Sequence, residues 1–166
     1  KKFEAGNKDP EFLKSVIKIF AFSDADLATK AAAKLYEVKK NEPLSQEDFS
    51  YLFSLTKDSN SPLFPEFISR KAELLKMMPE ENYNKTLTNL KNNSLFNNSY
   101  DKATKTFDEK KYVAEAKKSM TEEQAKVMLL KSKIKVAGMN KDKEQYQKLS
   151  MEYYKDGTSA DFNSNE

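Results

Sequence analysis

Apolar residues that recur at helical pitch are the feature that most limits what this chain can fold into. The clearest case lies between Asn7 and Phe22, and its apolar face is formed by Phe12, Leu13, Val16, Ile17 and Phe20. Asp9 is a favourable N-cap, and Pro10 follows at the first helical position, where its missing N–H costs nothing. We therefore expect a packed amphipathic helix here.

The same spacing predicts helices along most of the remaining sequence. They cover about 24–40, 45–57, 61–78, 80–97, 121–138 and 140–155, with one or two short helices between Tyr100 and Ser119. The helix over 61–78 could also start later, because Pro65 is unfavourable inside a helix. The stretch NNSLFNNS, at the end of the helix that starts near residue 80, contains few helix formers, so fraying is expected there. No segment alternates apolar and polar residues convincingly, so no strand is expected.

Short local motifs predict where some of these helices begin and end. Ser45 with Asp48, and Thr121 with Gln124, have the spacing of capping boxes. Gly138 is predicted to end the helix that begins after Thr121, because glycine commonly follows a helix C-terminus.

The predicted inward-facing side chains follow from the same periodicity. On the second helix they are Leu27, Ala28, Ala31, Leu35 and Val38; on the fourth they are Phe64, Ile68, Ala72 and Leu75; on the last they are Tyr146, Leu149 and Tyr153, with Tyr154 left open.

About seven to eight amphipathic helices joined by short loops predict an all-α fold built from antiparallel helical hairpins. Two architectures remain open, a tetratricopeptide-like stack and an irregular helical bundle, because no strict repeat signature is present. We expect a single all-helical domain over 1–157 and a polar tail over 158–166. Asn163–Glu166 resembles the start of a further helix that the sequence does not continue.

The residue types that are missing exclude several kinds of chemistry. The chain has no Cys, no His and no Trp among its 166 residues. Zinc sites of the usual type, Cys–His and Ser–His–Asp catalysis and dithiol redox chemistry all need residues from that set. We therefore expect no catalytic residue, no metal site and no cofactor, and we predict that this chain is not an enzyme.

A hydrolase that uses carboxylates is the catalytic alternative. Its candidate pairs are Glu80 with Glu81 and Glu122 with Glu123. Adjacent side chains on a helix point about 100° apart, so neither pair is expected to converge on one substrate. Both pairs fall in first helical turns, where acids stabilise the positive end of the helix dipole.

The charge pattern limits the possible partners. Lysine and arginine total 29 against 26 acids, and Arg70 is the only arginine. Readout of bases and phosphates favours arginine, so no specific nucleic-acid binding is expected. The densest lysines, Lys102 to Lys118, alternate with acids, as on a solvated helix face. A basic helical module that binds an anionic partner remains the other alternative.

No run approaches the roughly 18 apolar residues of a membrane span.

Two stretches carry a resemblance to a known family. In FEAGNKDPEFLKSVIKIF the matching positions are Phe3, Gly6, Asp9, Phe12 and Leu13; in PLSQEDFSYLFSLTKDSNSPLFPEF they are Leu44, Phe49, Asp58, Ser61 and Phe64. These residues, and the layout of the last two helices, resemble the helical C-terminal region of bacterial thioredoxin-like envelope proteins. In that family the catalytic dithiol belongs to the thioredoxin domain, and no residue here matches it. The resemblance implies a periplasmic or cell-envelope location.

The functional hypothesis is therefore a non-catalytic helical accessory or protein-interaction domain. The resemblance implies attachment to a thioredoxin-like domain in the parent protein, which would itself be the oxidoreductase. The expected partner is another protein or that neighbouring domain. A helical stack usually presents exposed aromatic and polar residues to its partner, and the candidate binding residues here are Lys133, Tyr146, Tyr153 and Tyr154.

Overall fold

The computed structural model describes residues 6–157, and over that range the chain is almost entirely helical. Its α-helices are α1 (Pro10–Phe20), α2 (Ala25–Val38), α3 (Gln46–Leu55), α4 (Phe64–Ser69), α5 (Lys71–Leu74), α6 (Glu80–Ser99), α7 (Glu109–Ala116), α8 (Glu122–Met139) and α9 (Lys143–Glu152). Two short strands, β1 (Tyr100–Asp101) and β2 (Thr106–Phe107), and a π-helical turn (Tyr153–Gly157) complete this range. The predicted all-α class is confirmed.

The chain forms two compact units that divide between Ser94 and Leu95, inside α6. The prediction of a single domain over 1–157 stays a prediction. The predicted polar tail over 158–166, with its helix start at Asn163–Glu166, lies outside the described residues.

The predicted N-cap of α1 and the predicted capping box of α3 are confirmed. Asp9 Oδ1 accepts the Glu11 backbone N–H at 2.9 Å at the start of α1, with Pro10 at the first position. In α3, Ser45 Oγ accepts the Asp48 backbone N–H at 3.1 Å, and Asp48 Oδ2 accepts the Ser45 N–H at 3.0 Å, which completes the capping box.

One apolar core holds the first unit together. Its buried members are Leu13, Val16, Ile17, Ala28, Ala31, Ala32, Leu35, Tyr36, Leu44, Leu52, Leu55, Leu63, Phe67, Leu74, Tyr83 and Leu90. α1 and α2 pack closely as a hairpin, because the alanines of α2 leave room for the larger side chains of α1. The rings of Phe67 and Tyr83 stack nearly parallel, with centroids 5.0 Å apart.

The helix predicted over 61–78 is wrong in its continuity and its buried face, and it begins later than Ser61, as the position of Pro65 allowed. Ser61 and Pro62 lie in a turn, α4 begins at Phe64, and the helix is interrupted at Arg70. The buried set is Leu63, Phe67, Arg70 and Leu74, whereas the predicted Ile68 is exposed. On α2 the predicted Val38 is likewise exposed, and Tyr36 is buried in its place.

A buried arginine explains the shifted face of α4 and α5. Arg70 donates from Nη1 to the carbonyl of Glu42 and from Nη2 to the carbonyl of Lys39, both at 2.9 Å. It also forms ion pairs with Glu66 at 3.0 Å and Glu73 at 3.2 Å. The guanidinium therefore ties α4 and α5 to the chain that follows α2, and the helix turns to place Arg70 inward.

A second buried charge lies on α3. Asp48 has no exposed surface, and its Oδ2 accepts hydrogen bonds from Lys39 Nζ and from the Ser45 hydroxyl. The Tyr36 hydroxyl donates to the Asp48 carbonyl. Burial acts to raise the pKa of Asp48, but the bonds from Lys39 and Ser45 outweigh it and hold the pKa below its ordinary value.

The 100–119 region contains one short helix, α7, in agreement with the one or two that were expected, but a small antiparallel hairpin occupies residues 100–107, where helix was predicted. Tyr100 pairs with Phe107, and Asp101 pairs with Thr106. Asp101 Oδ1 accepts the backbone N–H groups of Ala103 and Thr104, and Lys105 has a φ of 57° that closes the loop.

The fraying expected at NNSLFNNS is also absent, since α6 continues to Ser99. Phe96 stacks on Tyr100 and on Phe107, with ring centroids 5.4 and 5.7 Å apart. Packing of this one aromatic side chain outweighs the poor helix propensity of the asparagines around it.

The second unit has a smaller core than the first. Tyr112, Ala116 and Ala125 are buried together, and Leu95, Phe107, Met120, Met128 and Leu129 pack against them. The capping box at the start of α8 is confirmed, because Thr121 Oγ1 accepts the Gln124 N–H and Gln124 Oε1 accepts the Thr121 N–H.

The predicted end of α8 at Gly138 is wrong, because Gly138 lies inside the helix and α8 runs to Met139. The chain reverses instead at Lys141, which has a φ of 58°. The Lys141 N–H donates to the Gly138 carbonyl at 3.1 Å, and the Asp142 N–H donates to the Ala137 carbonyl at 2.9 Å. This is a Schellman motif with lysine at the position that glycine usually occupies.

Candidate interaction surface

The side chains of α9 are packed on one side only. Leu149 is the one buried residue of this helix, and it faces the α8 side of the hairpin. Tyr146, Met151 and Tyr154 are exposed by 48%, 62% and 73%. We call these three residues, together with Lys143, the α9 surface.

Helical spacing places most of the α9 surface on one face. Lys143, Tyr146 and Met151 fall within about 140° of each other at 100° per residue, and Tyr154 follows Met151 by three residues in the π-helical turn. Tyr146 and Met151 therefore lie at the two edges of a broad exposed face of the helix, with Lys143 between them.

The Tyr146 ring borders a depression at the turn between α8 and α9. The ring lies 3.7 Å from the position that a Cβ would occupy at Gly138. The depression has a volume of about 340 Å³ and is lined by Ala137, Gly138, Lys141, Asp142, Lys143, Tyr146 and Gln147. Its floor is apolar, and its rim carries two lysines and one aspartate.

The two rim lysines have no ionic partner of their own. Within residues 6–157, no carboxylate oxygen lies within 4.0 Å of the ammonium group of Lys141 or Lys143. Asp142 is close in sequence, but its Oδ1 accepts the Gln145 backbone N–H at 3.0 Å and caps α9. The rim therefore carries a local excess of positive charge.

Lys133, the first of the predicted binding residues, lies elsewhere in the second unit. Its Nζ is 3.1 Å from Glu109 Oε1, and the side chain is about one-third exposed. It borders a smaller depression of about 170 Å³, together with Phe107, Asn140 and Leu149. Lys133 is not part of the α9 surface, and its role in binding stays a prediction.

Tyr153 and Tyr154 lie together in the π-helical turn, with ring centroids 6.0 Å apart. Tyr153 is half-buried, and Lys131 Nζ lies 5.3 Å from its ring centroid, within the range of a cation–π contact. Tyr154 does not face inward, since its side chain is mostly exposed. The prediction that Tyr146 faces inward is wrong, because about half of its side chain is exposed. Sequence periodicity gave no signal for the exposed Met151 or for the pair Lys141 and Lys143.

Three of the four glutamates proposed for a hydrolase pair with lysines. Glu80 pairs with Lys71 at 3.0 Å, and Glu81 pairs with Lys85 at 2.7 Å. The hydrogen bond from Lys85 lowers the pKa of Glu81, which favours the ionised form over the protonated form that a general acid needs. In the second pair, Glu122 Oε1 lies 3.7 Å from Lys117 Nζ.

The lysines between residues 102 and 118 are largely part of a solvated face. Lys118 pairs with Glu115 at 2.7 Å, and Lys117 lies 3.7 Å from Glu122. No group of three or more acidic side chains in the described chain could hold a metal ion.

The first unit has its own exposed apolar pair. Ile19 is two-thirds exposed near the end of α1, and Phe22 is fully exposed in the turn before α2.

None of the helices described between residues 6 and 157 combines the length and apolar character required to cross a bilayer. No protein-family model, curated protein or solved structure matches the chain.

Proposed function

We propose that this chain is a non-catalytic helical domain that binds a partner protein through the α9 surface. The observation that carries the proposal is the clustering of Tyr146, Met151 and Tyr154 as exposed side chains on one short segment. Tyrosine and methionine are enriched at the centres of protein interfaces, while most single exposed apolar residues need no explanation.

The chemistry of these side chains suits protein recognition. A tyrosine offers a large apolar ring with few rotatable bonds, so little conformational entropy is lost when a partner covers it. A methionine adapts its shape to the surface that contacts it. Leu149 is buried beside α8 and lies about 160° round the helix from Met151 and about 60° from Tyr146. Its packing fixes the helix that presents them.

The finer architecture and the context are part of the same proposal. The hairpins α1/α2 and α8/α9 are the kind of unit from which tetratricopeptide-like stacks are built. Attachment to a thioredoxin-like domain, and an envelope location, rest only on the family resemblance of the two stretches that begin at Phe3 and Pro43. The coding sequence upstream of Lys1 tests that part: a thioredoxin domain there would support it, and its absence would remove it.

Co-purification of the tagged full-length chain from the cells that produce it tests the binding proposal. The variant carries Met151→Asp and Tyr154→Asp, which place two charges on the α9 surface. We expect the amount of partner recovered with this variant to be about tenfold lower, or less still, than with the native chain. The reason is that each unpaired charge buried at an interface is costly.

The matched control makes the same chemical change at the other exposed apolar pair, with Ile19→Asp and Phe22→Asp. This control is expected to retain the partner. Loss from the control and not from the α9 variant would assign binding to the first unit and refute the proposal. Far-UV circular dichroism of both variants confirms that the helices remain.

A further inference from the structure

We infer that the depression beside Tyr146 receives an acidic, extended segment of the partner protein. An apolar side chain of that segment would cover the Tyr146 ring, and its carboxylates would lie at Lys141 and Lys143. The inference rests on the proposed function and adds the chemical class of the segment that is bound.

The size of the depression favours a side chain or short segment over a larger ligand. Its volume of about 340 Å³ is at the lower end of the range for pockets that enclose small molecules. The apolar floor at Ala137 and Gly138 adjoins the half-exposed Tyr146 ring, so an apolar side chain placed there would remove apolar surface from water on both sides.

The positive charge of the rim indicates that acidic groups of the bound segment lie next to its apolar side chain. Lys141 and Lys143 make no ion pair within the described chain, and Asp142 is engaged as the cap of α9. A ligand carboxylate would therefore gain two cations without breaking an existing pair. A basic or neutral segment would gain neither.

A peptide carboxylate fits this rim better than a nucleic-acid phosphate. The one arginine of the chain, Arg70, belongs to the first unit and is buried, so the second unit lacks the forked donors that phosphate recognition favours. On α9 itself, Glu144 and Glu152 are exposed and would repel an extended polyanion. A short segment with spaced carboxylates avoids both acids.

The backbone at Lys141 supplies a matched control. Lys141 and Lys105 are the two non-glycine residues with positive φ in the described chain, at 58° and 57°. Lys105 lies in the hairpin loop, and it does not line the depression. Replacing either lysine with glycine removes one charge and relieves the same backbone conformation, so only the location differs.

Fluorescence anisotropy tests the inference with a labelled peptide in which Asp or Glu alternates with Phe or Leu. The full-length chain is titrated at low ionic strength. We expect the double variant Lys141→Gly, Lys143→Gln to bind about fivefold more weakly than the native chain, from the loss of two exposed charge contacts. The control Lys105→Gly, Lys102→Gln should bind as the native chain does.

Two further probes complete the test. The first probe is a peptide in which Asn and Gln replace the acids. The native chain should bind this neutral peptide no more tightly than the double variant binds the acidic one. Equal affinity of the native chain and the double variant for the acidic peptide would overturn the inference. The second probe is single-stranded oligothymidine. The inference would also be overturned if the native chain bound it more tightly than the acidic peptide and the same two substitutions weakened that binding, because the rim would then be a phosphate site.

The outcome separates this inference from the proposed function. If Met151→Asp and Tyr154→Asp release the natural partner while Lys141→Gly and Lys143→Gln do not, the α9 surface binds protein and the acidic segment is refuted. If neither pair of substitutions releases it, the proposed function fails as well.

Discussion

Asp48 is a fully buried carboxylate whose charge is balanced by Lys39, itself only 12% exposed at its side chain. Removing one partner of such a pair leaves the other charge buried without compensation, which costs far more than losing a surface pair. The same carboxylate also completes the capping box of α3. One residue therefore joins the end of α2 to the start of α3.

Asp48→Asn is expected to lower the free energy of unfolding by about 3 kcal/mol, because Lys39 would remain buried without a counter-charge. Urea denaturation of the full-length chain, followed by circular dichroism, measures the change. The matched control is Glu47→Gln, which removes the neighbouring, partly exposed acid that pairs with Lys14 and Lys18, and it should cost less than about 1 kcal/mol. Equal costs for the two variants would contradict this account of the pair.

The pH dependence of stability has a definite sign. Because the pKa of Asp48 is lower in the folded chain than its ordinary value, its contribution is complete at neutral pH and is lost as pH falls below about 4 towards the folded pKa. We expect the free energy difference between the native chain and Asp48→Asn to shrink over that range in urea denaturation at stepped pH. A difference that stays constant down to pH 2 would show that the charge of Asp48 does not matter.

The sequence predicted half of the role of Asp48. Its spacing from Ser45 identified the capping box, because that motif is local. Lys39 lies nine residues away and Arg70 much further, and pairing across such distances leaves no periodic signal. The buried Arg70 also explains why the expected face of residues 64–75 was wrong, since a charged residue was not expected to lie inward.

At the scale of elements, the turn between α8 and α9 departs most from expectation. Gly138 was expected to end α8, yet it lies inside the helix and Lys141 makes the reversal. Sequence alone favours glycine at that position, and only the backbone hydrogen bonds of Lys141 and Asp142 identify lysine there. The exposed side of α9 was predicted only in part. Tyr146 and Tyr154 were candidate binding residues, yet tyrosines at helical spacing also indicated a core face, and Met151 was not expected.

Gly138→Ala is expected to stabilise the chain by about 0.5–1 kcal/mol, because alanine has the higher helix propensity. The added Cβ would lie 3.7 Å from Tyr146 Cδ2, an ordinary van der Waals distance. A rise in the thermal midpoint checks the prediction. A fall would mean that the Tyr146 ring cannot accommodate the methyl group and that the depression is tighter than described.

At the scale of the whole molecule, the two units differ in how much apolar surface they bury. The first unit has one continuous core that includes residues from α1 to α6. Among the described residues of the second unit, the buried apolar cluster consists of Tyr112, Ala116 and Ala125. The all-α class followed from periodicity along the whole chain. The hairpin at 100–107 did not, because strands of two residues are too short to show alternation.

Hydrogen exchange measured by mass spectrometry should reflect this difference. We expect the slowest amides in α1, α2 and the first half of α6, and faster exchange in α8 and α9, since local opening costs less where fewer apolar side chains are buried. Asp48→Asn should accelerate exchange in α2 and α3 and leave α8 unchanged. Slowest exchange in α9 would contradict the description of its exposed surface.

Site-specific photo-crosslinking tests the central claim, that the α9 surface binds a protein, most directly. A photoreactive amino acid is placed at Met151, at Phe22 or at Lys110, each exposed in the full-length chain, and the cells that produce the protein are irradiated. The account predicts one discrete crosslinked partner from position 151 and none from position 22 or 110. Crosslinking from position 22 alone, or equally from all three positions, would contradict it.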